Sequence, residues 1–174
     1  TKLESASYTS ITMGVLARCC VHVRWYPAMN GFGVEPGVYG PFEETVEADW
    51  SQAAFWYAAK ALGNEVDIIN MNPDSSQGDR IISEYYVNLT TPGEVTLDVS
   101  GCPDLVPPLA AMAALRGGQV THLVNAARLR MKESDRLASV TKVLCKLGAA
   151  VTEGPDFLDI EGRKVLSGGV EVDA

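Results

Sequence analysis

Leu137, Val140, Leu144 and Leu147 recur at three- and four-residue steps, and Gly148 stands where a helix stops. The spacing predicts an amphipathic helix beginning near Ser134. Two further stretches, Ala53 to Leu62 and Leu109 to Leu115, are apolar nearly all round. Helices of that kind are expected at the centre of a molecule, buried on every side. Pro107 and Pro108 suit the first turn of the second stretch, where a missing N–H costs little. Tyr8, Ile11, Val15 and Leu16 predict a helix near the start, and "CCVHVRWY" the strand after it. The Gly- and Pro-rich run "MNGFGVEPGVYGPFEET", Met29 to Thr45, reads as a linker or mobile loop.

These elements repeat. Asp49 and Asp104 open two segments 55 residues apart, in which Ala58 and Ala59 match Ala113 and Ala114, Gly63 matches Gly118, and Asn70 matches Asn125. After a one-residue slip, "QGDR" (Gln77 to Arg80) parallels "ESDR" (Glu133 to Arg136). Each copy reads as acid, Ala-rich helix, Gly turn, β-branched strand, polar loop, second helix. The start of the chain supplies a third, partial copy. A repeat of this length that mixes helix and strand predicts packed α/β (α+β) modules rather than a thin solenoid.

A chain of 174 residues with 47% apolar and 21% charged residues can bury a real core. Its net charge of −8 argues against nonspecific binding to nucleic acid or to an anionic membrane. Cys19, Cys20, Cys102 and Cys145 form no CxxC pair, and His22 and His122 stand apart, so no zinc site is expected. The thiols read as reduced residues of a cytoplasmic protein. No run of 18 apolar residues and no signal peptide is visible.

Against this acidic background, Arg128, Arg130, Lys132 and Arg136 crowd into nine residues, with Glu133 and Asp135 among them. Lys132 and Glu133 fall on a loop tip at a helix N-terminus, a place that suits anions. A solvated charged turn is the plainer alternative. Asp135 is expected to cap the helix or orient a neighbour. Asp104 by itself reads first as an N-cap. Asp49, with Gln52 three residues on, reads as mainly structural, in a capping box. Gln77 and Arg80 are expected to keep structural roles only.

"GCPDLVPPLAAMAAL" followed by "ARLRMKESDRLASVTKVLCKLGAAV" resembles the 5-enolpyruvylshikimate-3-phosphate synthase family. "SASYTSITMGVL" is similar to that family's substrate-binding helix and "VEADWSQAAFWYAA" to its interdomain crossover. The resemblance implies two lobes, each of three βαβαββ units in an inverse α/β barrel-like arrangement. Residues 1–47 would then be the tail of one lobe and 48–174 most of the other, with substrates between them. It implies enolpyruvyl transfer from phosphoenolpyruvate to the 5-hydroxyl of shikimate 3-phosphate, with no metal and no cofactor. It casts Asp104 as the base at the attacking hydroxyl, Glu133 as the group exchanging protons with the methylene carbon, and Lys132 as a catalytic cation that touches substrate phosphate or carboxylate. Arg136 would grip the donor, Ser5 and Tyr8 would hold the 3-phosphate and ring, and Arg128 would bind substrate. The family's Gly- and Lys-containing phosphate site, its "DHR" segment and the arginine between "SL" and "RP" are not found, so the chain reads as an internal fragment that needs the remaining segments for activity. The related UDP-N-acetylglucosamine enolpyruvyl transferases, which use a reactive cysteine, and a non-catalytic α/β binding module are the alternatives.

Overall fold

Leu97, Leu105, Leu109, Leu123, Leu129, Leu137, Leu158 and Ile160, each almost wholly shielded from solvent, form the centre around which the chain is arranged. The computed structural model describes residues 6–29 and 31–172. In chain order these contain helix α1 (Ala6–Arg18), strands β1 (Val23–Tyr26) and β2 (Gly31–Val34), helices α2 (Trp50–Ala61) and α3 (Ile82–Thr90), and strand β3 (Val95–Asp98). Helix α4 (Val106–Ala114), strand β4 (Val120–Val124), helix α5 (Arg136–Lys146) and strands β5 (Ala150–Glu153) and β6 (Leu158–Glu161) follow. From β3 to β6 the order is βαβαββ, one complete unit of the expected kind.

Its four strands form a sheet in the order β3-β4-β6-β5. β3 and β4 are parallel, with Leu97 opposite Leu123; β6 runs antiparallel to both β4 and β5. α4 is buried along Val106, Pro108, Leu109, Ala110, Met112, Ala113 and Ala114, and its prolines occupy the first turn as expected. α5 turns Leu137 and Leu144 inward and ends at Leu147, with Gly148 at φ 86°. Its first residue is Arg136, slightly later than the spacing suggests, because Asp135 caps it by accepting from the Ala138 N–H at 3.0 Å.

The repeat is visible in the backbone. Gly63 and Gly118 both follow an Ala-rich helix at positive φ, 91° and 75°, where a glycine avoids the Cβ penalty. Asn70 and Asn125 share φ near 60°, at 58° and 61°. In each copy a 3₁₀ turn then precedes the second helix, Gly78–Ile81 before α3 and Ala127–Met131 before α5, the latter a few residues ahead of its helix. The copies differ in their strands. The expected strand over Val66–Ile69, counterpart of β4, is not formed. A strand needs neighbours, and α3 leads through Thr91–Glu94 directly into β3, so the first copy has no β5–β6 hairpin of its own to pair with it.

Two other expectations are corrected. α2 is buried only along Trp50, Ala53, Ala54 and Ala58; Phe55 and Trp56 are more than half exposed, so this helix has an outer face. The run from Met29 to Thr45 is not all loop, because Gly31–Val34 pairs antiparallel with Val23–Tyr26. The rings of Trp25 and Phe32 meet across that pair at 4.5 Å, and such cross-strand aromatic contacts hold a short hairpin. Residues 35–49 carry no regular structure, although an Arg18–Glu44 ion pair and the Gly40 N–H to Cys19 carbonyl bond lay them along the end of α1. No described helix is long and apolar enough to cross a membrane.

Candidate functional site

Asp104 lies in the 3₁₀ turn Pro103–Leu105 that opens into α4. Its side chain caps nothing, contrary to the expectation from sequence: no backbone N–H of the turn or of α4 bonds to it. It turns outward and meets α1 and the loop before α5. The Tyr8 hydroxyl donates to its Oδ2 at 2.9 Å, and Arg136 Nη1 donates to its Oδ1 at 2.5 Å. Lys132 Nζ stands 3.5 Å from the same Oδ1. Arg136 spends its other terminal nitrogen on Glu133 Oε2 at 3.0 Å. Tyr8, Asp104, Lys132, Glu133 and Arg136 thus form one chain of polar contacts assembled from three parts of the sequence.

Burial pushes the Asp104 carboxyl up, but the Tyr8 hydroxyl, Arg136 and Lys132 outweigh it and hold the group below the usual carboxylate range. Burial and the bond to Asp104 push the Tyr8 hydroxyl up, so it stays protonated and donates. The Glu133 carboxyl is held down by its own backbone N–H and by Arg136. Glu133 is the most exposed member, with 82% of its side chain open to solvent, whereas Lys132 and Arg136 are each more than two-thirds covered.

Arg130 and Asp135 explain why this loop has a defined shape. Arg130 donates to Asp135 Oδ2, Glu153 Oε1 and the carbonyls of Gly154 and Pro155, fastening the loop to the β5–β6 turn. The members of the basic cluster therefore have different roles. Arg130 is an internal anchor, whereas Lys132 and Arg136 face Asp104. Arg128 sits half-buried in the 3₁₀ turn Ala127–Met131, upstream of Lys132. Ser5 lies outside the described residues.

Asp49 caps α2, accepting from the N–H groups of Ser51 at 2.8 Å and Gln52 at 3.2 Å. Gln77 ties residues 47–50 to the turn before α3 through Glu47, the Ala48 carbonyl and the Trp50 N–H, and Arg80 holds the Pro73 carbonyl. Asp79 is not legible from the sequence as part of the site. Only 3% exposed, it accepts from the Ser51 hydroxyl and lines a cavity of about 340 Å³ together with Tyr8, Asp49 and Gln77. Burial raises its pKa, Ser51 counters that in part, and the nearby Asp104 and Asp49 add to the rise. The one signal in the sequence is that "QGDR" echoes "ESDR"; yet Asp135 is a partly exposed cap, while Asp79 is buried.

Among the described residues no group of three or more His, Cys, Asp and Glu could hold a metal. What the site offers is two cations and a carboxylate at one point, with a second carboxylate beside them, which suits anionic ligands and proton transfer.

The family model for EPSP synthase (3-phosphoshikimate 1-carboxyvinyltransferase) matches residues 1–174. The 3-phosphoshikimate 1-carboxyvinyltransferase of Clostridium kluyveri is 41% identical over 97% of this chain, and that of Clostridium acetobutylicum is 38% identical over 97%. The protein of the same name from Clostridioides difficile is 35% identical over 99%. The chain spans only 42–43% of the length of these relatives. With the family model matched from end to end and one complete βαβαββ unit carrying the clustered charges, the chain belongs to the EPSP synthase family.

Proposed function

We propose that the protein to which this chain contributes transfers the enolpyruvyl group of phosphoenolpyruvate to the 5-hydroxyl of shikimate 3-phosphate and releases phosphate. The observation that carries the proposal is the convergence of Tyr8, Lys132 and Arg136 on Asp104, with Glu133 on the far side of Arg136. Addition requires a base at the acceptor hydroxyl and an acid at the donor's methylene carbon, and elimination reverses those roles. Asp104 takes the hydroxyl proton and Glu133 exchanges a proton with the methylene carbon. Lys132 and Arg136 hold donor phosphate and carboxylate, Arg136 through a two-point contact. Ser5 and Tyr8 hold the acceptor, and Arg128 adds a cation to the substrate side.

The pKa directions couple these roles. Arg136 and Lys132 hold Asp104 down, and Arg136 also holds Glu133 down. A donor carboxylate or phosphate competes for the same cations. As they turn toward it, their hold on both carboxyls weakens and both carboxyls become easier to protonate, while Tyr8 still holds Asp104 down and the Glu133 backbone N–H still holds Glu133 down.

Residues 1–47 belong to the tail of one lobe and 48–174 to most of the other. Support comes from α1, which has no buried residue, and from a core drawn wholly from residues 50–160. No metal and no cofactor enter the reaction. A cytoplasmic setting agrees with four cysteines that form no disulfide.

The UDP-N-acetylglucosamine reading needs a reactive cysteine. Burial pushes the Cys102 thiol up to about 12, which disfavours its thiolate. Phosphate release by the intact parent, given phosphoenolpyruvate and each acceptor in turn, tests the proposal. Turnover is expected with shikimate 3-phosphate. Turnover with the UDP-sugar alone, or with neither, overturns it.

A further inference from the structure

Gly78 opens the 3₁₀ turn Gly78–Ile81, and its backbone does not call for a glycine, since its φ lies outside the left-handed region. At such a helical position alanine is ordinarily the better residue, because glycine loses more freedom on folding. What the missing side chain supplies is room for α1. A Cβ built on Gly78 would stand 2.5 Å from Oγ and 3.0 Å from Cβ of Ser7, and 3.2 Å from the Gly101 carbonyl oxygen. The Ser7 hydroxyl could rotate away. The Ser7 Cβ and the Gly101 carbonyl could yield only by moving backbone.

Those two neighbours carry the two ends of the bond at the centre of the site. Ser7 precedes Tyr8, and Gly101 lies three residues before Asp104, to which the Tyr8 hydroxyl donates at 2.9 Å. α1 has no buried residue, so burial does little to fix where it sits. Its Ser7 and Ser10 instead border an open cavity of about 540 Å³ shared with residues Ser75 to Glu84. We propose that Gly78 is a positioning residue: its bare Cα is the seat on which α1 rests, and that seat sets the spacing between Tyr8 and Asp104. An added side chain lifts α1 and stretches the Tyr8–Asp104 contact beside which the acceptor is held, while Lys132, on the loop before α5, and Arg136, the first residue of α5, keep their places. The acceptor side of the reaction is therefore affected before the donor side.

This inference rests on the enolpyruvyl-transfer proposal, and the intact parent protein separates the two. A wild-type parent without that activity removes the reaction and leaves Gly78 without the role assigned to it. With an active parent, Gly78→Ala is expected to raise the acceptor KM on the order of tenfold, a displacement of about an ångström being enough to matter. The donor KM should stay within about twofold, because the cations are not displaced. The melting temperature should not fall in proportion. Ser7→Gly placed on top of Gly78→Ala removes both clashing atoms of Ser7 and should bring the acceptor KM back to that of Ser7→Gly alone, as coupled neighbours require. Should Gly78→Ala not fold, Ser7→Val presses on the seat from the other side and should reproduce the acceptor effect with Gly78 intact. An unchanged acceptor KM in Gly78→Ala, equal losses on donor and acceptor, or no recovery in the double variant overturns the inference. So does a wild-type acceptor KM in Ser7→Val.

Discussion

Arg136 joins the two carboxylates of the site, since its guanidinium bridges Asp104 and Glu133. A lysine cannot reproduce that fork, so Arg136→Lys should weaken donor binding by about 1–3 kcal/mol, the worth of charge-assisted hydrogen bonds. An unchanged donor KM in the parent would show that Arg136 pairs only within the protein. Glu133→Gln keeps the shape and removes the group proposed to carry the proton. It should lower kcat by roughly 10²–10⁴ with little change in binding, and near-normal turnover would take Glu133 out of the mechanism. Asp79 makes a different prediction. Its folded-state pKa is raised, so the fold prefers the protonated acid; that contribution is complete below the unfolded value and is lost as pH rises through the folded one. At neutral pH the ionised group is a burden, and Asp79→Asn should raise the melting temperature at pH 7. The gain should vanish below about pH 4, where aspartate is itself protonated. A lower melting temperature at pH 7 would mean that its partners, Ser51 first, hold the ionised form. Much of this site is legible in the charge cluster and the matched motifs, because Lys132, Glu133 and Arg136 are close in sequence. Tyr8 and Asp104 can be joined to it only through the resemblance, since they lie 96 residues apart. Asp79 escapes a sequence reading because local pattern does not say which of two echoing aspartates is buried.

Among the elements, periodicity serves best where one chain segment supplies its own partners. The α4 and α5 patterns become helices with the expected inner faces because β3 to β6 lie within the same stretch. It serves least where the partner is not local. Val66–Ile69 has the composition of a strand but nothing to pair with, and α2, expected to be buried all round, has an outer face at Phe55 and Trp56. Arg116 joins elements that local pattern leaves separate. Only 7% exposed, it donates to the carbonyls of Leu89, Thr91 and Gly93 and to Thr121 Oγ1, tying the end of α3 to the start of β4. Arg116→Met keeps the stem and strands those acceptors. It should cost about 3 kcal/mol or more, since bonds to a charged group are each worth about 1.5–3 kcal/mol, read as a shift in the denaturant midpoint. A loss under about 1 kcal/mol would show that water takes over the carbonyls.

At the scale of the whole molecule, folding and activity are expected to part company. Residues 1–174 expressed alone should fold into α/β structure, because the βαβαββ unit from β3 to β6 is complete and Trp50, Ala54, Tyr85 and Leu89 of the first copy pack onto the same core. That polypeptide should not turn over substrate. The proposed reaction gathers at least four anionic groups: the acceptor's phosphate and carboxylate, and the donor's phosphate and carboxylate. The described site sets two cations, Lys132 and Arg136, against Asp104, in a chain of net charge −8. The chain spans less than half the length of its relatives, and the resemblance assigns further cations to segments outside it. Without them the anions repel one another, and no second wall excludes the water that weakens each contact. Weak binding of a single phosphorylated ligand beside Lys132 should survive and fall away as salt rises. The check is to mix the purified polypeptide with shikimate 3-phosphate and phosphoenolpyruvate, follow phosphate release, and record circular dichroism on the same sample. A folded signal without phosphate is the expected outcome. Steady turnover free of host enzyme would show that Tyr8, Asp104, Lys132, Glu133 and Arg136 suffice as they stand, and an unfolded signal would show that the core depends on the rest of the parent.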